Sequence, residues 1–346
     1  MPFKVDSMAP ILVTGGSGFI GGRLVCRLIE QHFCVWCLVR ATSRMDDLRS
    51  AGAQLIEGDV TDCGSVERAL VDSRAGTVFH LAGLVKARSR VDFARVNALG
   101  VETVAAACAR RPNPPVLVAV SSLSAAGPGR EGSLRMESDL PKPVSHYGRS
   151  KLAGEQAAAG YAGAVPISIV RPPIVFGAGD RAVLEMLRPI ARWGFHLVPG
   201  WRGSGRRLSL VHVDDLVEGL LLVAQKGERL GGQKSPGQGI YYMAGEENPT
   251  YLQLGQALAG ALGRKPPGNL RVPGPLLRLA GMAGDVMGRL RGTMGWINSD
   301  KMTEALAGSW TCSSAKARTQ LGWSPAVPMA QRLQQTVQWY RQAAWL

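Results

Sequence analysis

The chain has 346 residues, of which 46% are hydrophobic and 19% charged, and this length suits one two-lobed unit or two domains with substantial cores. No apolar run approaches the ~20 residues that span a bilayer, and residues 1–10 lack the apolar stretch of a secretory signal, so we expect a cytoplasmic protein. The formal net charge of +14 is dispersed, without basic runs and interleaved aromatic residues. Nucleic acid is therefore not an expected partner, whereas an anionic cofactor or the inner face of a membrane is compatible with the charge.

Six cysteines are scattered along the chain, and we expect reduced thiols because no export signal is present. Cys34 and Cys37 have the spacing of a redox motif or half a zinc site, but they lie in an apolar strand-like run with no second pair nearby. They are interpreted as buried structural thiols, and no metal is expected.

Short apolar runs alternate with helix-like segments in the first half of the chain, which is typical of βαβ units. Six strands are predicted, at residues 11–14, 35–39, 54–57, 77–81, 116–121 and 166–170. Helices are predicted at residues 20–31, 64–71, 92–110 and 147–160. The sequence therefore predicts an α/β fold with a doubly wound parallel sheet of the Rossmann type.

The pattern loosens after Arg171, but residues 208–222 still predict a strand running into a helix, and residues 240–244 predict a further strand. We expect two parts, a nucleotide-binding domain and a smaller C-terminal substrate-binding lobe. The domain would comprise residues 9–175 with returning segments at about 208–222 and 238–245, and the lobe residues 176–207 and 246–346.

Residues 272–290 predict an amphipathic helix, because apolar side chains recur there between arginines. Such a helix can face the core, cover an apolar pocket or lie on a membrane surface. The core-facing arrangement is the favoured interpretation.

A glycine-rich turn follows the first strand and opens the first helix. Its glycines, Gly15, Gly18 and Gly21, are spaced three apart. Glycine allows a tight turn, close approach of backbone N–H groups to a pyrophosphate, and close packing of helix on sheet. The turn predicts a dinucleotide site formed by Gly15, Ser17, Gly18, Phe19, Ile20 and Gly21.

The end of the second strand indicates which dinucleotide is bound. An acidic residue about 20 residues beyond the turn would hold a ribose 2′-hydroxyl, but this chain has Arg40, and the nearest acid is Asp46. Arg40, with Ser43 and Arg44, can pair with a 2′-phosphate. NADP(H) is therefore favoured over NAD(H), and an exposed arginine without a ligand is the alternative.

Tyr147 and Lys151 are four residues apart at the start of a predicted helix, so their side chains share one face. A free tyrosine has a pKa roughly 3 units too high for a base at neutral pH, and a neighbouring ammonium favours the phenolate. The pair suits proton transfer at an alcohol or ketone oxygen, although the same spacing occurs on solvated helices.

Seven signals occur in an order known from one family, and the chain resembles the extended short-chain dehydrogenases/reductases over nearly its whole length. The resemblance rests on the glycine turn, Gly58-Asp59-Val60-Thr61-Asp62, His80-Leu81-Ala82-Gly83, Asn97, Ser121-Ser122, Tyr147 with Lys151, and Arg171-Pro172-Pro173. The family's Ser-Ser-x-x-x-x-Gly pattern ends here at Gly127, which selects Ser122 over Ser121 as the catalytic serine.

The resemblance implies roles for individual residues. Ser122, Tyr147 and Lys151 would be catalytic, and Tyr147 and Lys151 would also adjoin the nicotinamide ribose. Asp59 and Val60 would contact the adenine, and Leu81, Ala82 and Gly83 would line the cofactor path. Pro172 and Ile174 would flank the nicotinamide carboxamide. Structural alternatives remain: a helix cap for Asp59, a solvated helix position for Asn97, and a hydrogen-bonded core position for His80.

Within the family, residues 120–128, 171–177 and 210–215 are similar to 3β-hydroxysteroid dehydrogenases and dihydroflavonol reductases. This implies an NADP(H)-dependent oxidoreductase that interconverts a secondary alcohol and a ketone on an apolar, sterol-, steroid- or flavonoid-like substrate, with Tyr147 as proton donor or acceptor. A homodimer and peripheral membrane contact are also expected.

Two other functions stay open. One is a nucleotide-sugar epimerase or dehydratase with retained NAD(H), in which Arg202, Arg206 and Arg207 would meet a diphosphate. The other is a catalytically idle, nucleotide-binding assembly subunit.

Overall fold

The structure is a computed structural model that describes residues 9–200, 205–231, 235–292, 295 and 297–346. Its strands are β1 Ile11–Thr14, β2 Val35–Val39, β3 Gln54–Glu57, β4 Thr77–His80, β5 Val116–Val120, β6 Ile167–Arg171, β7 Ile174–Phe176, β8 Phe195–Pro199, β9 Leu210–His212, β10 Ile240–Tyr242 and β11 Gly268–Val272. Its α-helices are α1 Phe19–Glu30, α2 Asp46–Ala51, α3 Cys63–Ser73, α4 Arg90–Ala94, α5 Gly100–Ala109, α6 Leu123–Ala126, α7 His146–Ala159, α8 Ala182–Trp193, α9 Val213–Lys226, α10 Tyr251–Ala261, α11 Gly274–Arg291, α12 Ser299–Leu306, α13 Ala315–Leu321 and α14 Met329–Gln342.

A seven-stranded parallel sheet forms the centre of the molecule, with the strand order β10-β6-β5-β4-β1-β2-β3. β1 pairs with β2 on one side and with β4 on the other, so the winding reverses at β1. The carboxyl ends of the strands at such a reversal form the crevice in which doubly wound sheets bind ligands. The predicted fold class is confirmed.

Buried side chains cover both faces of this sheet. In β1, Ile11 and Val13 belong to one core cluster with α1 and α9, whereas Leu12 belongs to a second cluster with α3 and α5. Neighbouring residues of a strand point to opposite faces, and full burial of each such side chain stabilises the fold by about 1.5–3 kcal/mol. This two-sided burial explains why β1, β2 and β5 are continuous apolar runs, whereas the edge strand β3 begins with Gln54 and ends with Glu57.

The predicted elements of the first half agree with the structure to within one or two residues at most ends. One prediction was wrong in detail: the helix at residues 92–110 is divided into α4 and α5 by a π-helical turn at Arg95–Leu99. The strand predicted at residues 240–244 is β10, which adds the seventh strand beside β6.

Several elements of the second half were not predicted. β8 pairs with β11, and β7 pairs with β9, each pair lying outside the central sheet. β8 alternates exposed and buried residues, and β7 has only three residues, so neither forms a long apolar run. The division into a nucleotide-binding domain and a substrate-binding lobe stays a prediction.

The helix predicted at residues 272–290 is α11, but its favoured core-facing arrangement was wrong. Its buried residues are the glycines Gly281 and Gly288, and a Cβ at Gly281 would lie 3.0 Å from Met302 of α12. Leu279 and Val286, each more than half exposed, face away from the protein. Small residues therefore form the packed face of α11, because they allow α12 to approach closely. Within the described residues, no helix is long and apolar enough to cross a membrane.

Candidate active site

The glycine-rich turn lies between the end of β1 and the start of α1. Gly15 has a φ of +74°, and a Cβ there would lie 2.6 Å from the backbone nitrogen of Ala82; a Cβ at Gly21 would lie 2.1 Å from the carbonyl oxygen of Gly15. Only glycine fits these two positions.

The first turn of α1 has no acidic residue, and its N-cap, Gly18, provides no side chain to cap it. Its N–H groups are thus available to an anion, and Ser17 and Gly18 are exposed, whereas Phe19 and Ile20 are half-buried. The turn fits the pyrophosphate of a dinucleotide.

The residues predicted to select the cofactor form a turn after β2. The backbone N–H of Ser43 donates to the carbonyl of Arg40 at 2.8 Å, and the backbone N–H of Arg40 donates to the Ser43 hydroxyl at 3.2 Å. The Arg40 and Arg44 side chains are exposed. Two guanidinium groups thus lie at the carboxyl end of β2, where a 2′-phosphate would be expected.

Asp59 and Val60 follow β3. The Asp59 carboxylate accepts hydrogen bonds at 2.9 Å from the backbone N–H and the hydroxyl of Thr61, whereas the N-cap of α3 is Asp62. The helix-cap alternative for Asp59 was therefore wrong. Val60 is 8% exposed and packs in the core between the sheet and α5.

His80, at the end of β4, is a core residue, as the structural alternative predicted. Its Nδ1 lies 2.8 Å from the Thr14 hydroxyl, and burial, together with the Lys151 charge, lowers its pKa to about 3. Leu81 and Ala82 follow it half-buried beside the glycine turn. His80 is therefore neutral at physiological pH.

The alternative that Asn97 occupies a solvated helix position was wrong. Asn97 is fully buried on the π-helical turn; its side-chain oxygen accepts from the Leu84 N–H at 2.7 Å, and its amide donates to the Leu84 carbonyl and the Ser150 hydroxyl, both at 2.9 Å. A Cβ at the exposed Gly83 would lie 3.1 Å from Asn97 Oδ1 and 3.0 Å from Lys151 Nζ. Asn97 thus holds the loop after β4 against α7.

Ser122 and Tyr147 are brought together at the carboxyl edge of the sheet. Ser122 follows β5, and its oxygen accepts from the Ser124 N–H at 3.1 Å, which leaves its own O–H free to donate. Burial raises the pKa of the Tyr147 phenol, and the Lys301 ammonium and the hydrogen bond with Ser122 oppose that rise. A phenol that is 7% exposed and interacts with a serine hydroxyl is suited to exchange a proton with a bound oxygen.

Lys151 lies one helical turn after Tyr147 and is 7% exposed. Its ammonium donates to the Val120 carbonyl at 2.9 Å. Burial lowers the Lys151 pKa to about 8, and the Glu155 charge opposes that shift. The cation is thus held beneath the crevice by the end of β5.

A buried ion pair supports this edge of the sheet. Arg171, at the end of β6, donates from Nε and Nη2 to the two carboxylate oxygens of Glu155 on α7, at 2.8 and 2.5 Å. Glu155 also accepts the hydroxyl hydrogen of Ser121. The serine that the family pattern did not select is therefore occupied inside the protein, whereas Ser122 faces Tyr147.

Two residues that are predicted to lie beside the nicotinamide, Pro172 and Ile174, follow β6. Pro172 is buried, and its carbonyl accepts from the Leu123 N–H at 2.9 Å, next to Ser122. Ile174 is half-buried in β7, opposite Leu210. Both therefore adjoin the carboxyl edge of the sheet, and their cofactor contacts stay a prediction.

Sequence reasoning missed the contribution of α12. Asp300 accepts from the backbone N–H groups of His146 and Tyr147 at 2.6 and 3.0 Å, and Glu304 accepts from the Ser145 hydroxyl at 2.7 Å. The Lys301 ammonium lies 4.7 Å from the centre of the Tyr147 ring. The only signal in the sequence is local: Asn298 caps α12 by accepting from the Lys301 N–H.

A cavity of about 390 Å³ opens beside the first turn of α7. Its walls come from the loop after β4, from α11 and from the start of α12, and they include Phe93, whose ring centre is 6.0 Å from that of Tyr147. Cationic side chains at the rim are Lys86, Arg88, Arg90 and Arg289. The lining of the cavity is therefore mostly charged and polar, with these four cations and the carboxylates of Asp285 and Asp300, and Phe93 lies on the side near the phenol.

The arginines considered for a sugar diphosphate are only partly described. Arg206 donates to the Ala305 carbonyl at 3.0 Å and Arg207 to the Asn248 carbonyl at 2.9 Å, whereas Arg202 lies outside the described residues. The two described arginines thus bind backbone oxygens of the protein.

The cysteines are free thiols. Cys37 is buried and burial raises its pKa to about 12, but Cys34 is exposed, so its predicted burial was wrong. Cys34 lies one residue before β2, whereas Cys37 lies within this largely buried strand. In the described part of the chain, no group of three or more His, Cys, Asp or Glu side chains is arranged to hold a metal ion.

The fold and site define a class: a doubly wound dinucleotide-binding protein with a Ser-Tyr-Lys set at the crevice. Residues 11–235 match the NAD dependent epimerase/dehydratase family, and the chain belongs to that family. It is an NAD(P)-dependent enzyme of the extended short-chain dehydrogenase/reductase type, as predicted.

Known relatives extend this result. The chain is 30% identical over 343 residues to a ceramide reductase of Caulobacter vibrioides, covering 99% of this chain and 97% of the relative. It is 28% identical over 370 residues to 3beta-hydroxysteroid-dehydrogenase/decarboxylase isoform 2 of Arabidopsis thaliana, covering 97% of this chain and 63% of that protein. The predicted resemblance to 3β-hydroxysteroid dehydrogenases is thereby confirmed.

Solved structures share the fold. A UDP-glucose 4-epimerase of Thermotoga maritima, determined with UDP-glucose, superposes with a TM-score of 0.75 at 23% identity, covering 97% of this chain and 99% of the other. At this identity the likeness concerns the fold alone.

Proposed function

We propose that this enzyme uses NADP(H) to interconvert a secondary alcohol and a ketone on an apolar substrate. The observation that carries the proposal is the buried Tyr147 phenol, whose pKa the Ser122 hydroxyl helps to lower, with Lys151 one helical turn away. The names of the ceramide and hydroxysteroid relatives support an apolar, lipid-like substrate.

The residues divide the work of the reaction. A bound nicotinamide supplies or accepts the hydride. Ser122 donates a hydrogen bond to the reacting oxygen and keeps it in line with the Tyr147 hydroxyl, which exchanges a proton with it. Lys151, one helical turn from the phenol, would hold the nicotinamide ribose, as the family resemblance implies.

Tyr147→Phe tests this proposal. The probes are a ketosteroid and a ketone analogue of ceramide, each supplied with NADPH, with UDP-glucose supplied without added cofactor. We expect NADPH oxidation with at least one of the ketones and a loss of roughly 100-fold or more in kcat in Tyr147→Phe, whereas Tyr161→Phe, outside the site, keeps its activity. Undiminished ketone turnover in Tyr147→Phe would refute the mechanism, and conversion of UDP-glucose alone would favour the epimerase alternative.

The preference for NADP(H) rests on the exposed Arg40 at the carboxyl end of β2. A charge-assisted contact with a 2′-phosphate stabilises binding by about 1.5–3 kcal/mol, so Arg40→Ala should weaken NADPH binding roughly 10- to 100-fold and leave NADH binding nearly unchanged. The matched control is Arg49→Ala, which removes an exposed arginine on α2 and should change the binding of neither cofactor. Equal losses for NADPH and NADH would count against the preference.

Peripheral membrane contact is proposed for α11. Leu276, Leu279 and Val286 are each 55–58% exposed on this helix, with exposed arginines at 278, 289 and 291 among them. A helix with an apolar face and flanking cations is suited to the interface of a bilayer containing anionic lipid. Such contact would bring the crevice close to a lipid substrate.

Sedimentation with vesicles tests the membrane contact. We expect binding to phosphatidylcholine vesicles that contain a quarter phosphatidylglycerol, weaker binding to phosphatidylcholine alone, and loss of binding in Leu279→Glu with Val286→Glu. Leu140→Glu, which changes a leucine outside α11 that is 74% exposed, is the control. Dimer dissociation in the α11 variant without any vesicle binding in the parent protein would assign the surface to the expected homodimer instead.

A further inference from the structure

α12 carries a second ammonium to the phenol of Tyr147. Lys301 lies with its Nζ 4.7 Å from the centre of the Tyr147 ring, and 23% of its side chain is exposed. Burial lowers the Lys301 pKa, but the Glu304 and Tyr147 charges outweigh that effect and raise it overall. Lys301 is therefore a cation at every pH at which the enzyme would work.

The position of this cation is fixed by hydrogen bonds rather than by chance contact. Glu304 pairs with the Lys301 ammonium at 2.8 Å through one carboxylate oxygen and accepts from the Ser145 hydroxyl at 2.7 Å through the other. Ser145 is in turn the N-cap of α7, accepting from the Gly148 N–H. One short chain of contacts thus joins the ammonium to the helix that carries the phenol.

Asp300 makes a second connection between the same two helices. Its two oxygens accept from the backbone N–H groups of His146 and Tyr147, which have no partner inside α7 because they belong to its first turn. The carboxylate caps α7 from another helix. The packing of α12 against α7 therefore also places the Lys301 ammonium at the Tyr147 ring.

We propose that Lys301 is a positioning residue of the active site, whose ammonium stabilises the ionised Tyr147 phenol during proton transfer. The inference rests on the proposed role of Tyr147 in the reaction. Lys151, the ammonium expected from the family pattern, donates instead to the Val120 carbonyl in this structure. Lys301 thus supplies the positive charge that lies against the phenol ring itself.

The other charges around the phenol act in both directions. Glu304 raises the pKa of Tyr147 and Lys301 lowers it, while Asp300 is bound to backbone N–H groups of α7. Lys86 is within electrostatic reach of Lys301, and burial lowers the Lys86 pKa. Because Lys301 and Glu304 act on the Tyr147 pKa in opposite directions, replacing each of them in turn should shift that pKa in opposite directions.

The test measures the ionisation of residue 147 directly and needs no substrate. 3,5-Difluorotyrosine is placed at position 147 of the full chain, because the fluorines bring the midpoint into a mild pH range, and its titration is followed by fluorine NMR. We expect Lys301→Met to raise the midpoint by about 1 pH unit and Lys301→Arg to restore it. Glu304→Gln, which keeps the shape and the hydrogen bond to Ser145, should lower it.

Lys316→Met is the matched control. Lys316 lies 4.7 Å from the Tyr241 ring centre and pairs with Glu228 at 2.6 Å, so it has the same kind of contacts outside the site. Its replacement should leave the midpoint of residue 147 unchanged. If Lys301→Met loosens α12, as judged by circular dichroism, Lys301→Gln provides a second neutral variant.

Two results would overturn the inference: equal midpoints in the parent and in Lys301→Met, or a shift of the same size in Lys316→Met. Failure of the ketone panel together with the expected fluorine shifts would refute the proposed function alone. Ketone turnover without the shifts would refute the role of Lys301 alone.

Discussion

Removal of the Arg171 guanidinium should destabilise the protein far more than removal of a surface arginine. Arg171 is 2% exposed and Glu155 7% exposed, and two hydrogen bonds join them. Arg171→Met leaves the carboxylate inside the protein with only the Ser121 hydroxyl as a strong partner. Breaking such a pair costs about 3–5 kcal/mol, because the remaining charge stays buried without compensation.

That loss is a large fraction of the about 5–15 kcal/mol by which a folded domain is usually stable. Replacing both residues with apolar ones, Arg171→Met with Glu155→Leu, removes the unpaired charge and should restore most of the stability. The matched control is Arg27→Met, which breaks a pair with Glu218 whose side chains are 37% and 46% exposed. Such a surface pair contributes only about 0–1 kcal/mol.

Urea unfolding, followed by circular dichroism and tryptophan fluorescence, measures all three variants. We expect the midpoint of Arg171→Met to fall by about 1 M urea or more, that of the double variant to lie near the parent, and that of Arg27→Met to be nearly unchanged. The reasoning is refuted if Arg171→Met loses no more stability than Arg27→Met, or if the double variant is less stable than the single one.

Two further predictions concern the cofactor turn and the buried lysine. Gly21→Ala should abolish nicotinamide dinucleotide binding in calorimetry, since its Cβ would lie 2.1 Å from the Gly15 oxygen, whereas Gly22→Ala, with 3.4 Å to its nearest neighbour, should bind normally. Lys151→Met should be inactive yet more stable than the parent by about 2 kcal/mol below pH 8, because burying the ammonium costs about 3 kcal/mol and its hydrogen bond returns about 1. The folded-state pKa of Lys151 is lowered to about 8. The cost of burying the ammonium is therefore fully present below pH 8 and disappears as the pH rises to 10.5. A stability difference between Lys151→Met and the parent that does not change with pH would contradict this explanation.

The central sheet and the cofactor turn could be predicted because their signals are local. β1 is an apolar run buried on both faces, and the glycine turn follows it directly in the chain. The helix-period pattern, by contrast, did not show that α11 packs through Gly281 and Gly288 and exposes its leucines. Periodicity places apolar residues on one face of a helix, but it does not tell which face the neighbouring helix covers.

Two of the residues that contact Tyr147, Asp300 and Lys301, belong to no motif that connects them to it. Asp300 is 154 and 153 residues from its two N–H partners, and Lys301 has no sequence feature beyond its place in a capped helix. Asn97 also depends on tertiary structure, because its three hydrogen bonds form only when the loop after β4 meets α7. Long-range contacts of single polar residues produce no periodic pattern in the sequence.

The capping of α7 by α12 has a consequence for the order in which the enzyme is made. Residues 9–171 contain six of the seven strands of the central sheet together with the cofactor turn, Ser122, Tyr147 and Lys151, so these parts are synthesised well before α12. Until Ser299–Leu306 docks, the first N–H groups of α7 are open to water and the Tyr147 ring has no ammonium against it. With the roles proposed for the cofactor turn and for Lys301, a partly synthesised chain would bind its cofactor before the Lys301 ammonium reaches the Tyr147 ring, and activity would follow the folding of the last segments rather than of the sheet.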